Sequence, residues 1–315
     1  MSPATGARPL RWGVLGASSR IYRNAILPPL RERERHQVVA EASRDLDGSD
    51  APYAELLRRD DVDAIYIPLP NDGHARWILR ALESGKHVLC EKPLTMSVAD
   101  TEAVFAAARS MDRSVVEAYM WPHHPRNRLV LELVQEHLGT LQWSRGRFSF
   151  PLAREGDHRV DARGGGALFD VGIYCLGPAL LLAPRDPVSV AAAATRNEHG
   201  VDVALAGWLD LGQGFTATAD VSFDSVHLRT LEITGSGGSI RIPSFMAPGP
   251  EDPSVVTVEH RDESVSGHAV GGANAYGEML DQFVDVVQDR AAPRWGEAES
   301  TLMARWIEAL HTATR

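Results

Sequence analysis

The segment His87-Val88-Leu89-Cys90-Glu91-Lys92-Pro93-Leu94 joins a short apolar strand to a charged turn. Ligands of parallel sheets bind outside the carboxyl ends of the strands, and Lys92 stands at such an end. Pro93 fixes its own φ and disfavours the helical region for Lys92, so the lysine backbone is held extended. The segment therefore predicts a parallel sheet that offers an ammonium group to a substrate oxygen.

On both sides of this segment, apolar strands alternate with helical patterns. Strands are predicted at 10–15, 38–42, 63–70, 87–90 and 114–119, with helices following the first strand and at 52–59, 77–84 and 101–110. This alternation is typical of an α/β domain with a Rossmann-type, doubly wound parallel sheet and right-handed crossovers. We assign residues 1–121 to this dinucleotide-binding domain.

Residues 122–315 show a different order of elements. A helix at 126–138 precedes a strand at 141–150 and a glycine-rich helix, and further strands are predicted at 188–195, 204–211, 214–223, 227–234, 239–242 and 255–260. Hairpin-linked strands favour an α+β domain with an open, largely antiparallel sheet. Residues 265–273 are interpreted as flexible, and a last helix at 295–312 can pack back on the first domain.

Composition narrows the function classes. The 315 residues carry a net charge of −10, and no basic patch of the kind that nucleic-acid binding requires is evident. No apolar run has the length of a membrane span, and no secretory signal is recognised. Cys90 and Cys175 lie in apolar surroundings, which favours free thiols in a reducing compartment. We therefore expect a cytoplasmic protein that acts on a small molecule.

A metal site is not expected. His123 and His124 are adjacent, but neighbouring residues on a helix do not face each other. No third histidine, cysteine or acid stands nearby at ligand spacing. A role in packing or in a substrate pocket is the better interpretation of this pair.

A glycine turn follows the first strand. Gly16-Ala17-Ser18-Ser19-Arg20-Ile21 joins it to a helical pattern, and backbone N–H groups at a helix start bind a pyrophosphate well. Ser18 and Ile21 replace the second and third glycines of the ideal dinucleotide motif. A plain strand-to-helix turn is therefore the alternative.

The second predicted strand ends at Ser43-Arg44-Asp45, where a dinucleotide fold meets the adenosine ribose. An arginine there accommodates a 2′-phosphate, whereas an acidic residue accepts a hydrogen bond from a free 2′-hydroxyl. Ser43 and Arg44 favour NADP(H) over NAD(H), and Asp45 keeps NAD(H) as the alternative.

Four motifs together resemble the Gfo/Idh/MocA family of NAD(P)-dependent oxidoreductases, which act mostly on sugars and polyols. They are Gly16-Ala17-Ser18, Pro70-Asn71-x-x-His74, Glu91-Lys92-Pro93 and Glu117-Ala118-Tyr119-Met120, and the resemblance spans nearly the whole chain. It implies that Lys92 contacts the reacting hydroxyl or carbonyl group. The family motifs, the glycine turn and the end of the second strand together predict the residues that contact the cofactor. They are Gly16, Ala17, Ser18, Ser19, Ile21, Ser43, Arg44, Pro70, Asn71, His74, Glu91 and Lys92.

The chain departs from the family between its second and third strands. Arg44 reaches Tyr53 in nine steps, so about one helix is missing there. The connection is still long enough for a crossover. We expect the sheet to survive and the wall on the adenine side to be weakened.

The glycine-rich segment Gly164-Gly165-Gly166-x-Leu168-x-Asp170-x-Gly172-x-Tyr174 resembles a second family pattern, in which a histidine more commonly ends the motif. Tyrosine at this position is characteristic of the branches of glucose–fructose oxidoreductase, dihydrodiol dehydrogenase, xylose dehydrogenase and keto-sugar reductase. Asp170 and Tyr174 are four residues apart and share a helix face, so the carboxylate is expected to orient the tyrosine hydroxyl or to accept a hydrogen bond from it. The resemblance implies that Tyr174 moves the proton, with Lys92 holding the oxygen and lowering the tyrosine pKa.

Three functions follow from these motifs. The leading one is hydride transfer to or from a ring hydroxyl or ketone of a sugar, with Lys92, Tyr174 and Asp170 as catalytic residues. A keto-sugar reductase acting on a nucleotide-linked sugar is the second, and a non-catalytic relative with a weakened cofactor site is the third. Substrate contacts are expected at Trp121, His124, Arg163 and Tyr174. If the substrate carries a diphosphate, the candidate residues to bind it are Arg126, Arg154, Arg159 and Arg163. A homodimer or higher homo-oligomer through the C-terminal sheet is also expected.

Overall fold

A parallel five-stranded sheet forms the N-terminal part of the protein in a computed structural model, which describes residues 8–44, 48–153, 156–161, 163–244, 246 and 248–314. The strand order is β2-β1-β3-β4-β5, with every pair parallel. This confirms the predicted Rossmann-type sheet. The strands are β1 (Leu10–Leu15), β2 (His36–Ala42), β3 (Ala64–Ile67), β4 (His87–Glu91) and β5 (Val115–Ala118).

Helices cover both faces of this sheet, which is why its central strands are apolar at successive positions. Leu89 packs on one side with Trp12 and Tyr66, while Val88 packs on the other with Trp77. The helical elements of this part are a π-helical segment (Tyr22–Ile26), α1 (Leu27–Glu32), α2 (Ala51–Leu57), α3 (His74–Glu83) and α4 (Val98–Ser110).

The strand order reverses between β1 and β3, and this reversal positions the cleft. The chain leaves β1 towards β2 on one side, while β3, β4 and β5 extend on the other. Adjacent crossovers therefore diverge at the carboxyl edge of the sheet and leave a crevice there. Gly16 after β1, Pro68 after β3 and Lys92 after β4 all lie at this crevice.

A second, eight-stranded sheet follows, in the order β13-β12-β11-β10-β6-β9-β8-β7. The pairing of β6 with β9 is parallel and the other pairs are antiparallel, which confirms the predicted open sheet. Its strands are β6 (Leu141–Ser149), β7 (Ser189–Arg196), β8 (Asp202–Asp210), β9 (Thr216–Ser222), β10 (Leu228–Gly235), β11 (Gly238–Ile242), β12 (Ser254–His260) and β13 (Val265–Val270).

The helices of the second part are α5 (Pro125–His137), α6 (Ala167–Leu182), α7 (Ala275–Val287) and α8 (Glu297–Ala313). The glycine-preceded helix α6 lies against β6, β8 and β9 and covers one face of the sheet. Gly146 permits this close approach, because a Cβ there would lie 2.4 Å from Cα of Cys175. None of the described helices has both the length and the apolar character needed to cross a bilayer.

Two local expectations need correction. Residues 265–273 were expected to be flexible, but 265–270 form β13, because each of these residues pairs in register with one on β12, as Ala269 does with Val255. Helix α3 begins at His74 instead of Trp77, directly after a 3₁₀ turn. Between β2 and α2 no helix occupies residues 43–44 and 48–50, the described part of that connection.

A buried carboxylate ties the end of the chain to the first sheet. Glu117 on β5 accepts hydrogen bonds from Leu94 N (2.8 Å), Trp295 Nε1 (2.8 Å) and Ser300 Oγ (2.6 Å). Ser300 belongs to α8, which packs on both α4 and α6. Burial raises the pKa of Glu117, although these three donors oppose that shift.

Candidate active site

A cleft of about 1040 Å³ lies between the carboxyl edge of the parallel sheet and the eight-stranded sheet. Residues from both parts of the protein line it, so neither part forms the cleft alone. On the side of the parallel sheet the lining includes Gly16, Ser18, Ser19, Arg20, Ile21, Asn24, Ser43, Arg44, Tyr53, Pro68, Leu69, Pro70, Asn71, Glu91 and Lys92. On the other side it includes Phe148, Phe150, Asp157, His158, Arg159, Asp170, Val171, Tyr174, His227, Arg229 and Met246.

The turn after β1 has the geometry of a dinucleotide cradle. Gly16 has φ +105°, and a Cβ there would lie 3.0 Å from Leu69 Cδ2, so the position favours glycine. The N–H groups of Gly16 and Ala17 donate to Ala42 O at 2.8 and 2.9 Å, which fixes the turn against the end of β2. Ala17 itself does not line the cleft and contributes through its backbone. These features fit a nicotinamide dinucleotide.

Lys92 lies at the centre of the cleft and is paired with α6. Its Nζ donates to Asp170 Oδ1 at 2.8 Å and to Asp170 O at 2.6 Å. Burial by itself would lower the pKa of Lys92, but the Asp170 carboxylate more than offsets this, and the net shift is upward. Lys92 is therefore a protonated, fixed cation at neutral pH, with one N–H left for a further acceptor.

Asp170 is shared between two cations. Besides Lys92 it accepts from Arg159 Nη1 at 3.4 Å, and Arg159 is held in turn by Asp157 through Nε at 2.9 Å and Nη2 at 2.6 Å. Burial opposes ionisation of Asp170, but the charge of Lys92 prevails and its pKa is lowered. The carboxylate was expected to bind the Tyr174 hydroxyl; the structure directs it to Lys92 and Arg159 instead.

Tyr174 faces the cleft from α6, one turn after Asp170. Its ring packs between Tyr119 and Phe148, with centroid distances of 5.6 and 5.5 Å, and Lys92 Nζ lies 5.5 Å from its ring centroid. Burial raises the pKa of Tyr174, and the charges of Glu91 and Asp170 raise it further. The net shift of the Tyr174 pKa is therefore upward, against the expected lowering, and the Lys92 ammonium is bound to Asp170.

Glu91 lies directly before Lys92 on the cleft wall. Its carboxylate accepts a hydrogen bond from Tyr66 OH at 2.7 Å, and burial raises its pKa although the Lys92 charge opposes this. This carboxylate holds the end of β4 in place through Tyr66.

Three expected contacts are buried in the core, outside the cleft lining. The buried His74 ring has its two nitrogens 2.9 Å from Pro93 O and Leu69 O, so it fixes the turn after β4. Trp121 is fully buried in the core. His124 Nδ1 accepts from Arg126 N as the cap of α5, and burial lowers the His124 pKa to about 4. Packing, rather than ligand contact, explains all three positions.

Residues 157–161 and 163–166 lie at the rim of the cleft, where the second of these stretches contacts the parallel-sheet part of the protein. Asn71 Nδ2 donates to Gly164 O at 2.7 Å, and Asp72 N donates to Arg163 O at 3.0 Å. The Arg163 side chain bonds Asp161 instead of entering the cleft. Arg126 donates to Ser244 O and Met246 O. Asp45 and Arg154 lie outside the described residues.

Arg159, expected from the sequence as a candidate diphosphate ligand, lines the cleft, whereas its neighbours there, Phe148, Phe150, His227 and Arg229, were not expected. Arg159 Cζ lies 5.6 Å from the Phe150 ring centroid, and Arg229 Cζ lies 5.4 Å from that of Phe148. The His227 ring stacks on Phe150 at 6.5 Å with an interplanar angle of 18°. The alternation along β6 predicts an inward Phe148, but nothing local indicates that residues 227–229 meet it.

Two family models match the chain. One, described as an oxidoreductase family with an NAD-binding Rossmann fold, matches residues 10–119, and the C-terminal domain model of the same Gfo/Idh/MocA group matches residues 128–241.

Curated relatives cover nearly the whole chain. A dTDP-3,4-didehydro-2,6-dideoxy-α-D-glucose 3-reductase from Actinomadura kijaniata is 33% identical over 330 residues, covering 100% of this chain and 98% of the relative. A D-xylose 1-dehydrogenase (NADP⁺) from Haloferax volcanii is 32% identical over 317 residues, covering 96% of each.

Solved structures agree with the fold. A 3-ketoreductase from A. kijaniata, in complex with NADP and TDP-benzene, superimposes with a TM-score of 0.89 at 32% identity, covering 97% of this chain and 98% of that one. An aldose–aldose oxidoreductase from Caulobacter crescentus complexed with glycerol superimposes with a TM-score of 0.86 at 25% identity, covering 98% of each chain.

Proposed function

Because the chain belongs to the Gfo/Idh/MocA oxidoreductase family, we propose that it transfers a hydride between NADP(H) and a ring carbonyl or hydroxyl group of a sugar derivative. The observation that carries this proposal is the convergence of Lys92 and Tyr174. The two residues are 82 positions apart in the chain, yet Lys92 Nζ lies 5.5 Å from the Tyr174 ring centroid in the cleft.

A nicotinamide dinucleotide held by the turn after β1 and the end of β2 would supply or accept the hydride. Lys92 has two of its N–H groups on Asp170, so its third can donate to the substrate oxygen and stabilise the charge that develops there. Tyr174 exchanges the proton of that oxygen. Asp170 keeps Lys92 charged, and the rings of Tyr119 and Phe148 hold Tyr174 in place.

Burial keeps Tyr174 in its protonated form at neutral pH. A phenol with a raised pKa stays protonated at neutral pH, so Tyr174 is ready to donate a proton to a ketone oxygen as the hydride arrives. Oxidation of an alcohol would require the phenolate instead, which burial disfavours.

Ser43 and Arg44 support NADP(H) as the cofactor. Both line the cleft where β2 ends, which is the position of the adenosine ribose in a dinucleotide fold. The xylose dehydrogenase relative is named as an NADP⁺ enzyme, and the A. kijaniata 3-ketoreductase was solved with NADP.

Replacement of each catalytic residue tests this proposal. Lys92→Ala and Tyr174→Phe are each expected to lower kcat by about 10²–10⁴-fold, because each removes a group that acts in the transition state. Phenylalanine preserves the ring packing of position 174. The measurement is NADPH oxidation with a panel of keto sugars, alongside the melting temperature of each variant.

Tyr119→Phe is the matched control. Tyr119 packs on the Tyr174 ring but does not line the cleft, and its buried hydroxyl has no hydrogen-bond partner in the described part of the chain. Its kcat should stay near that of the wild type. An unchanged kcat in Lys92→Ala or Tyr174→Phe would refute the assigned roles.

A nucleotide-linked keto sugar is the second candidate substrate, favoured by the wall around Phe148 and Phe150. Arg159 and Arg229 place guanidinium groups beside these rings, which suits a diphosphate next to a base. One relative is named as a reductase of a dTDP-linked sugar. This candidate is supported if the enzyme reduces a dTDP-linked keto sugar but not the corresponding free sugar, and if dTDP inhibits the reaction. Equal turnover of the linked and the free sugar would exclude it.

We further propose a homo-oligomer formed through the uncovered face of the eight-stranded sheet. This face is opposite α6 and carries small and aromatic side chains on β7 and β8, among them Ala191 beside Trp208. Opposite charges face each other across neighbouring strands, since Glu232 on β10 pairs with Arg145 on β6 and with Arg241 on β11. Light scattering of the purified protein measures the assembly mass.

A further inference from the structure

Three charged side chains meet at the adenosine end of the cleft. Asp50 Oδ1 accepts from Arg44 Nε at 3.0 Å, and Asp50 Oδ2 accepts from Arg76 Nη1 at 3.0 Å. The carboxylate thus brings together two guanidinium groups that come from the end of β2 and from α3. The Arg44 and Arg76 side chains are 48% and 54% exposed, so both remain accessible to a ligand.

The shortened connection after β2 creates this arrangement. With no helix in residues 43–44 and 48–50, Asp50 at the start of α2 reaches both arginines. Asp50 is the N-cap residue, yet its carboxylate makes no capping hydrogen bond to the helix. Ala51 N donates to Ser49 Oγ instead, which leaves the Asp50 carboxylate free to face the arginines.

The bonds to Asp50 leave donors unused. Arg44 engages it through Nε and Arg76 through Nη1, and in the described chain neither makes another side-chain hydrogen bond. Arg76 is also positioned by the Trp77 ring, with Cζ 5.0 Å from its centroid. Two positive charges and one negative charge leave the cluster with a net charge of +1. One of its members, Arg44, lines the cleft together with the neighbouring Ser43.

We propose that Arg76 is a second cation of the subsite for the cofactor's 2′-phosphate. The inference rests on the proposed NADP(H) function. A phosphate dianion at the end of β2 would meet the free terminal nitrogens of both Arg44 and Arg76, and guanidinium groups bind phosphate through paired hydrogen bonds. Arg76 lies on α3, so it takes over part of the wall that the missing helix does not supply.

Arg76→Ala tests this inference, with Arg80→Ala as the matched control. Arg80 lies one turn further along α3 and also contacts Trp77, with Cζ 5.2 Å from the ring centroid, but it does not bond Asp50. Binding of NADPH and NADH is measured by fluorescence titration, without turnover. Arg76→Ala is expected to weaken NADPH binding about tenfold or more and to leave NADH binding unchanged, because a charge-assisted bond to the phosphate is lost.

Arg76→Lys should retain part of the NADPH preference, since it keeps the charge and loses the paired geometry. Arg80→Ala should bind both nucleotides as the wild type does. Equal weakening of NADPH and NADH in Arg76→Ala, or the same loss in Arg80→Ala, would overturn the inference. If the wild type binds neither nucleotide, the proposed function is overturned as well. If the wild type prefers NADPH and Arg76→Ala has the same affinity for NADPH, only the role of Arg76 is overturned.

Discussion

Lys92 illustrates how a buried cation is kept charged. Its ammonium is largely removed from water, which disfavours the protonated state, and Asp170 restores that state through two contacts at 2.6 and 2.8 Å. The same carboxylate also bonds Arg159 at 3.4 Å, so three charges share one site. The charge of Lys92 therefore depends on Asp170 more than on solvent.

Asp170→Asn should shift the alkaline limb of the kcat–pH profile to lower pH. Without the carboxylate, burial acts alone on Lys92 and its pKa falls, by about 1–3 units if the usual effect of a close opposite charge applies. The ammonium then loses its proton at a lower pH and kcat falls earlier. The measurement is kcat between pH 6 and 10.

Asp157→Asn is the control for this experiment, because Asp157 holds Arg159 without contacting Lys92. Its alkaline limb should coincide with that of the wild type. An unmoved limb in Asp170→Asn would mean that a protonated Lys92 does not govern the reaction.

At the residue scale, the sequence predicted which side chains line the cleft better than it predicted the contacts they make. Lys92 and Tyr174 follow from motifs with a recognisable spacing, and both line the cleft. The pairing of Lys92 with Asp170 spans 78 positions and depends on how two domains meet, which no local pattern encodes. The contrary expectation, that Asp170 serves Tyr174, came from helix spacing alone.

Helix α6 begins in a tightly packed glycine turn. Gly166 has φ +96° and ψ −169°, a region that only glycine adopts readily, and a Cβ there would lie 2.5 Å from Asp202 Oδ1. Asp202 Oδ2 accepts from Leu168 N at 2.8 Å and so anchors the first turn of the helix. The turn thereby sets the position of Asp170 and Tyr174.

Gly166→Ala should destabilise the fold by about 2–4 kcal/mol and lower kcat, because both the backbone angle and the contact with Asp202 oppose a side chain. Urea denaturation measures the free energy of unfolding.

Gly200→Ala is the control for this substitution. Gly200 also has a positive φ, +74°, but nothing lies within 4 Å of its would-be Cβ, so a cost of about 1 kcal/mol and a normal kcat are expected. Equal costs for Gly166→Ala and Gly200→Ala would show that the contact with Asp202 is unimportant.

Most elements were predictable because their apolar periods are regular. The strands of both sheets follow alternating or continuous apolar runs, and the structure places them within a few residues. Strand β13 was missed because Gly267, Gly271 and Gly272 suggested flexibility, whereas pairing with β12 supplies its order. The π-helical turn at Tyr22–Ile26 gives no recognisable sequence signal.

Trp208→Arg should reduce the assembly mass if the uncovered sheet face joins two copies. Trp208 is 37% exposed on β8, the second strand from one edge of that face, and a charge buried in an interface is costly. Met111→Arg is a matched control with 38% exposure on the other domain, and its mass should equal that of the wild type. A wild type that is monomeric at tens of micromolar would contradict the proposed oligomer.

The two-sheet organisation and the meeting of Lys92 with Tyr174 were predictable, whereas the wall of the cleft opposite the first sheet was not. Composition, strand order and motif positions predicted which residues lie at the carboxyl ends of the strands in the first sheet. The opposite wall, with Phe150, Arg159 and Arg229, comes from a loop and two strands that meet it only after the domains pack. Contacts of this kind depend on tertiary geometry that a single sequence does not reveal.

The hydrogen bonds that Trp295 and Ser300 donate to Glu117 also limit where the gene can be cut or joined to that of a relative. A gene fragment that ends before residue 295 would leave the Glu117 carboxylate buried without two of its three donors. The nucleotide-binding half is therefore not a portable module, although its sheet is complete by residue 118. Chimeras that exchange substrate halves between relatives should carry the last helix with the first domain.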